Sequence, residues 1–349
     1  MTRVETDLIT GIAVDPVTEW FDDHIDALQR PLTFDLIAGG HSNLTYRVTD
    51  GSGRAWVLRR PPLHQVLATA HDMTREHTIV GALQGSLVPV PGVVGLCADE
   101  LVNDRPFYVM DFVEGTVVRD GAHADALGSR VKLQASQAMV EVLAAIHAVD
   151  IDAVGLSDLG RRDDYVARQL RRWMRQFDES KTADRPEIRA VHDHLVERIP
   201  DQGPATIVHG DYRLDNCIID GGGSIVAVLD WEICTLGDPL VDIAQLLVYW
   251  AEPDDAHLPL ESPPTTSAGF WSRDQILAGY EAASGRAVDN MDFYISFASW
   301  KLACILEGVY SRYVHGAMGD KVPEGGIDSF VERIDGLVAD AVARAGQIT

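Results

Sequence analysis

Two short apolar runs, Thr206 to Val208 and Ile225 to Leu229, enclose a polar loop that reads His209-Gly-Asp-Tyr-Arg-Leu-Asp-Asn216. The second run leads straight into Asp230-Trp-Glu232, and Gly221-Gly222-Gly223 breaks the chain between the two. No other stretch restricts the fold as tightly. Runs this short, punctuated by glycine, read as a hairpin at the head of a helical lobe. That hairpin carries three oxygen-bearing side chains: Asp211 and Asn216, five apart in the loop, and Asp230, which ends a strand 19 residues after Asp211.

Phosphoryl transfer asks for such a set. It needs a carboxylate to receive the nucleophile's proton and oxygen ligands that fix Mg²⁺ against the phosphates. Polar loops commonly contain Asp and Asn, and an isolated His-Gly-Asp would carry no chemistry. Metallophosphohydrolase chemistry also uses clustered Asp, Asn and His, but it calls for more metal-spaced His and carboxylate pairs than this chain shows.

The periodicity divides the chain. Asp15-Pro16 starts a turn, and Val17 to Leu28 reads as an acidic amphipathic helix. Thr33 to Ala38, Leu44 to Thr49 and Arg54 to Arg60 read as strands. The first two are separated by Gly39-Gly40, the second two by the turn Asp50-Gly-Ser-Gly53. Thr69 to Leu83 has helical spacing with Glu76 near its middle, and Val93 to Ala98 and Pro106 to Val113 are two further strands. Beyond Glu114-Gly115 the texture is helical: Val131 to Val149, Arg161 to Phe177, Glu187 to Ile199, Val241 to Trp250, Ser272 to Ala283, Met291 to Tyr313 and Gly326 to Ala345. Three regions are expected: a helical lead-in over 1–30, a sheet lobe over 31–113, and a helical lobe over 114–349. At 349 residues, two lobes agree with roughly 150 residues per core.

Charge narrows the partners. With 29 Lys and Arg against 53 Asp and Glu, the net charge is −24, which disfavours nucleic acid and anionic lipid. Four scattered cysteines offer neither a disulfide framework nor a CxxC zinc pair, so buried thiols in a reducing compartment are expected. No apolar run reaches the ~18–20 residues of a membrane span. The longest, Phe293 to Tyr310, carries Lys301 and Glu307. The start lacks a basic region followed by an apolar stretch, and a cytoplasmic protein is expected.

The loop HGDYRLDN, the segment LDWE, and the continuation Leu236-Gly-Asp-Pro-Leu-Val-Asp242 together resemble the aminoglycoside phosphotransferase-like family of small-molecule kinases. The resemblance runs from about Thr33 to Tyr313. It is strongest to the branch related to the kinase-like domain that precedes acyl-CoA dehydrogenase modules in some animal proteins. It implies an α+β, bilobal protein-kinase-like fold with an N-terminal antiparallel sheet lobe, one helix within that lobe, and a mainly helical C-terminal lobe. It also implies ATP and Mg²⁺ as cofactors, Asp211 as catalytic base, and Asn216 and Asp230 as metal ligands. His209 would buttress the loop and Asp242 would pair with its backbone.

Other residues follow from position within that resemblance. The loop Gly39-Gly40-His41-Ser42-Asn43 could fold over phosphates and offer backbone N–H groups, or be a plain hairpin turn. On the third strand, alternation puts Val57 and Arg59 on one face, so Val57 could cover adenine while Arg59 reaches phosphate. Arg59 stands where such kinases carry lysine, since no lysine precedes Lys132. Arginine binds phosphate bidentately but with a larger planar head. Glu76 is its natural partner, and an exposed Arg59-Arg60 pair is the plain alternative. Met110 would lie behind adenine, with backbone groups of Asp111 and Val113 at its edge. Arg213 could neutralise the transferring phosphate, or form a simple salt bridge.

The expected activity is transfer of the ATP γ-phosphate to a small-molecule hydroxyl, with a homodimer allowed for. A hydroxyacyl-type metabolite is implied by the branch. An aminoglycoside or other antibiotic acceptor, attracted by the acidic chain, and a nucleotide-binding pseudokinase scaffold are the alternatives.

Overall fold

A computed structural model describes residues 9–38, 43–63, 72–316 and 326–348. The chain forms two compact units, one of Met1–Gly85, Val90–Glu114 and Asp230–Glu232, the other of Ser86–Pro89, Gly115–Leu229 and Ile233–Thr349.

The first unit is a five-stranded sheet in the order β1-β2-β3-β5-β4, antiparallel throughout. Its strands are β1 (Thr33–Ala38), β2 (Leu44–Thr49), β3 (Ala55–Arg60), β4 (Val93–Cys97) and β5 (Phe107–Asp111). Asp50 closes the β2–β3 turn, its Oδ1 accepting from the N–H groups of Ser52 (2.9 Å) and Arg54 (3.0 Å). Helix α1 (Val14–His24) turns Val17, Trp20 and Phe21 inward, into one core with Phe34, Val48, Trp56, Leu58, Phe107 and Val109. This helix starts earlier and ends earlier than the spacing predicts. Its last turn is closed by the His24 ring, bonded to the Trp20 carbonyl at 2.8 Å, and Ile25 is already extended. Helix α2 (Met73–Leu83) begins where the Asp72 carboxylate accepts from the Arg75 N–H. Glu76 therefore lies in its first turn and not near the middle, as the longer expected helix would have it.

The second unit holds α3 (Gly121–Asp125), α4 (Ser129–Ala148), α5 (Tyr165–Ser180), α6 (Pro186–Val196), α7 (Pro239–Tyr249), α8 (Arg273–Ser284), α9 (Met291–Val314) and α10 (Asp328–Ala345). Two antiparallel ribbons accompany them: β6 (Thr206–Val208) with β9 (Thr235–Gly237), and β7 (Cys217–Ile219) with β8 (Ile225–Val228). Sequence spacing did not separate β7 and β9 from their loops, because three residues carry no period. Helix α9 is the axis of the packing. Phe293, Phe297, Trp300 and Cys304 meet Leu170 and Phe177 of α5, Ile188 of α6, Val241 of α7 and Ile334 of α10 in one core. All four cysteines are buried, and no disulfide joins them among the described residues.

A buried carboxylate also lies on this helix. Glu307 is fully buried on α9, where its Oε1 accepts from the N–H and hydroxyl of Thr182, both at 2.6 Å, with the Arg185 guanidinium 3.4 Å from Oε2. Arg185 keeps Asp335 as a partner when the carboxylate is removed, but the Thr182 N–H and hydroxyl lose their acceptor. Glu307→Ala should cost about 1.5–3 kcal/mol in urea unfolding, and Glu307→Gln, which keeps an acceptor for Thr182, should cost clearly less.

Candidate active site

In the second unit, β6 runs into His209-Gly210-Asp211, and a single carboxylate holds this loop from below. Asp242, in the first turn of α7 and fully buried, accepts from the N–H of His209 (2.6 Å) and of Gly210 (2.8 Å). His147 of α4 lies 3.3 Å from the same carboxylate and 2.7 Å from the Tyr280 hydroxyl. Gly210 has φ +86°, the left-handed region glycine adopts without strain, and a Cβ there would press on Ile233 at 3.2 Å. The His209 ring donates from Nε2 to the Leu229 carbonyl (3.0 Å), and its Nδ1 accepts from the Asp211 N–H (3.3 Å). Those partners put the ring proton on Nε2.

Asp211 is held at both carboxylate oxygens. The Asn216 amide donates to its Oδ2 (2.9 Å) and to its main-chain oxygen (2.8 Å). Gln245 of α7 donates to the Gly210 carbonyl (2.6 Å) and stands 3.4 Å from Asp211 Oδ1, and the buried Lys301 ammonium donates to the Gln245 oxygen (2.8 Å). Arg213 lies 3.4 Å from Asp211 and 2.8 Å from Asp215, with its guanidinium over the Tyr249 ring. Arg213 therefore bridges two carboxylates of the catalytic-loop segment. Burial pushes the Asp215 carboxyl up, against the pull of Arg213. Beside these groups is a niche of about 20 Å³ lined by Arg119, Arg213, Asp215, Leu246, Tyr249 and Trp250. A larger cavity of about 210 Å³ is lined among others by Leu247, His257, Arg273, Ile295 and Arg344, and Asp211 lines neither cavity.

The first unit carries the other predicted residues. Arg59 is buried and its guanidinium bonds Glu76 of α2 and, at 3.1 Å, Asp230 Oδ1. Burial opposes that charge, but Glu76, Tyr108 and Asp230 outweigh it and hold the guanidinium firmly protonated. Arg60 is also buried but bonds the Gly11 carbonyl and Asp104, so neither arginine is exposed. Asp230 has φ +64°, a strained conformation for a non-glycine residue and a frequent mark of a functional position. It lies two residues past the end of β8, so it follows that strand rather than ending it.

Val57 faces Met110 across the β3–β5 ladder, and both pack with Met73 and Tyr108. The Asp111 N–H is taken by the Gly92 carbonyl (2.7 Å). Val113 follows two residues past the end of β5. Asn43 donates to Glu232 at 3.3 Å. Gly40 and Ser42 lie outside the described residues.

Sequence reasoning missed Gln245, Lys301, His147 and Asp215. Gln245 was detectable as the residue one helical turn after Asp242, and Lys301 as the one cation in the apolar run Phe293 to Tyr310.

Residues 33–293 match the model of the phosphotransferase enzyme family, about three quarters of the chain. The chain belongs to that family. Its relatives include acyl-CoA dehydrogenase family member 10 of Mus musculus, 35% identical over 283 residues, and acyl-CoA dehydrogenase family member 11 of Homo sapiens, 30% identical over 289 residues. These alignments cover 79% and 82% of this chain but only 26% and 37% of those proteins. The chain thus spans well under half the length of these relatives. A crystal structure of a candidate aminoglycoside phosphotransferase from Ralstonia eutropha JMP134 superposes with a TM-score of 0.80 at 29% identity, covering 96% of this chain and 98% of that one. Aminoglycoside phosphotransferase APH(4)-Ia, in a ternary complex with AMP-PNP and hygromycin B, shares the fold with a TM-score of 0.62 at 16% identity, covering 93% and 98%. The expected α+β kinase-like fold and family are those found. Among the described residues no helix is long and apolar enough to cross a membrane.

The Asp242 carboxylate sets a pH dependence. Burial alone would push it up, but the bonds from His147 and from the loop N–H groups win and hold it below the usual carboxylate range. A carboxyl held low contributes stability above its unfolded pKa of about 4 and loses it as pH falls further. Unfolding free energy should therefore drop from about pH 4 downward. Asp242→Asn should be less stable at pH 7 by about 1–3 kcal/mol and show a shallower fall in the acid window, read by urea titration at each pH.

Proposed function

We propose that this chain transfers the γ-phosphate of ATP, with Mg²⁺, to a hydroxyl of a small molecule. The observation that carries the reading is the Asp211 carboxylate, gripped by Asn216 and Gln245 on a loop whose backbone is bonded to Asp242. Asp211 takes the acceptor's proton as the new bond forms between the acceptor oxygen and the γ-phosphorus. The bond from that phosphorus to the β,γ-bridging oxygen breaks, and ADP and a phosphate ester result.

The donor atoms suit Mg²⁺. Asn216 turns its amide nitrogen to Asp211, so its carbonyl oxygen is the atom left for a metal, and Asp230 keeps Oδ2 beyond its contact with Arg59. Hard oxygen donors of this kind match the ion, which when bound neutralises charge on the phosphates. Val57 covers the adenine, Met110 lies behind it, and Asp111 and Val113 meet its edge through backbone groups. Arg59, oriented by Glu76, takes the phosphate role usually given to lysine. His209 buttresses the catalytic loop, and Arg213 serves the transferring phosphate.

For the acceptor we favour a hydroxyacyl-type metabolite. The relatives named as acyl-CoA dehydrogenase family members support it, and so does the niche beside Arg213. There Arg119 and Arg213 stand with the single carboxylate of Asp215 beside apolar Leu246, Tyr249 and Trp250. A polycationic antibiotic calls for a surplus of carboxylates at that point, and none is present among these lining groups.

An ATP-consumption screen over hydroxyacyl-CoAs, aminoglycosides, macrolides and sugars, with product masses read directly, decides the acceptor. A phosphorylated aminoglycoside with silent hydroxyacyl-CoAs would overturn the acceptor assignment. Asp211→Asn should keep nucleotide affinity while turnover falls about 10²–10⁴-fold. Wild-type-like turnover in that folded variant would remove Asp211 from the reaction. Arg59→Ala should weaken ATP binding by about 1.5–3 kcal/mol, Arg59→Lys should restore part of it, and Arg60→Ala should leave ATP affinity near wild type in calorimetry.

A further inference from the structure

Lys301 sits in the middle of α9 among Ala298, Trp300, Leu302 and Ala303, only 5% exposed. An amine is costly in such a place unless it acts on something. Burial pushes its pKa down, while Asp242 and Asp211 pull it back up. Its bonded partner is the Gln245 side-chain oxygen at 2.8 Å. Gln245 in turn presents its nitrogen to the Gly210 carbonyl at 2.6 Å and to Asp211 Oδ1 at 3.4 Å.

The two ends of an amide are nearly the same shape, so only its partners decide which end faces a carboxylate. Here both partners agree. Lys301 offers only donors and takes the oxygen, and the Gly210 carbonyl offers only an acceptor and takes the nitrogen. The remaining N–H is left pointing at Asp211. With Asn216 on Oδ2, the carboxylate is then bracketed by an amide on each side. An inverted Gln245 would set a carbonyl oxygen against Oδ1 and drive Asp211 from its position.

We propose that Lys301 and Gln245 form a buried positioning pair that fixes the Asp211 carboxylate, with Lys301 acting solely through the orientation of the Gln245 amide. The assignment of consequence to catalysis rests on the reading of Asp211 as the base; the pairing itself does not.

The test combines a spectroscopic and a kinetic readout on the full chain. In ¹⁵N-labelled protein, Lys301→Met should speed solvent exchange of the Gln245 side-chain amide protons by about tenfold or more, the loss of one good hydrogen bond. Backbone amides of α7 should keep their protection. Lys301→Gln, which retains an N–H donor without the charge, should recover part of the side-chain protection. It also serves as the informative variant if Lys301→Met does not fold. With Mg²⁺-ATP as the probe, ADP release should fall about tenfold in Lys301→Met and in Gln245→Leu, with nucleotide affinity within about twofold of wild type. The double variant should fall no further than Gln245→Leu alone, since one residue acts through the other.

Unchanged exchange of the Gln245 amide in Lys301→Met would overturn the pairing. Additive losses in the double variant would overturn its route through Gln245. Wild-type protein that releases no ADP, alone or with any acceptor of the screen, would instead defeat the phosphotransfer reading, and the amide exchange would still decide the pairing.

Discussion

The loop that carries Asp211 depends on one buried carboxylate. Asp242 receives two backbone N–H groups from His209 and Gly210 and a ring nitrogen from His147. Two consecutive N–H groups aimed at one carboxylate fix both the direction and the twist of that loop. The tight turn at Gly210 is what lets them converge. Everything on the reactive side is then set by the next bonds outward: His209 to Leu229, Asn216 to Asp211, Gln245 to Gly210. Leu229 also returns an N–H to the Asn216 carbonyl at 2.8 Å. A charge-assisted bond inside a low-dielectric core is strong, and leaving any of these groups unmatched there is costly, so the network keeps a single arrangement.

The first unit solves a different problem, that of holding a cation inside the protein. Arg59 could not remain buried alone; Glu76 answers its charge from the first turn of α2, and Asp230 answers it from the other direction. A guanidinium can serve two carboxylates at once because its donors are spread over a planar fork, which a lysine ammonium does not offer. Arg60, one residue on, leaves the sheet on the opposite face and is used for fixing the N-terminal segment through the Gly11 carbonyl. Adjacent and chemically identical, the two residues have separate tasks because strand alternation separates them.

Much of this was legible before any coordinate. The Asp211, Asn216 and Asp230 spacing, the β3 register that distinguishes Arg59 from Arg60, and the pairing of Arg59 with Glu76 all follow from local pattern: turn residues, period-2 alternation and helical spacing. Helix boundaries were less legible, because caps such as Asp72 or a ring bond such as His24 to Trp20 end an element where hydrophobic spacing still continues. The strands β7 and β9 were invisible, being too short for any period and existing only because partners pair with them.

Sequence by itself determined which residue types stand in the polar loop and on the third strand, and that the chain alternates between a sheet-forming and a helix-forming texture. Both are local properties, written in residue type and spacing. Tertiary structure decided which buried polar groups act together. Lys301 and Gln245 are 56 positions apart, and Asp242 and His147 are 95 apart. Nothing in either neighbourhood names the other. Whether a buried amine, amide or imidazole is a liability or part of a site depends on what the packing of α4, α7 and α9 sets opposite it. That pairing across distant helices is a property of the packed core and not of any segment within it.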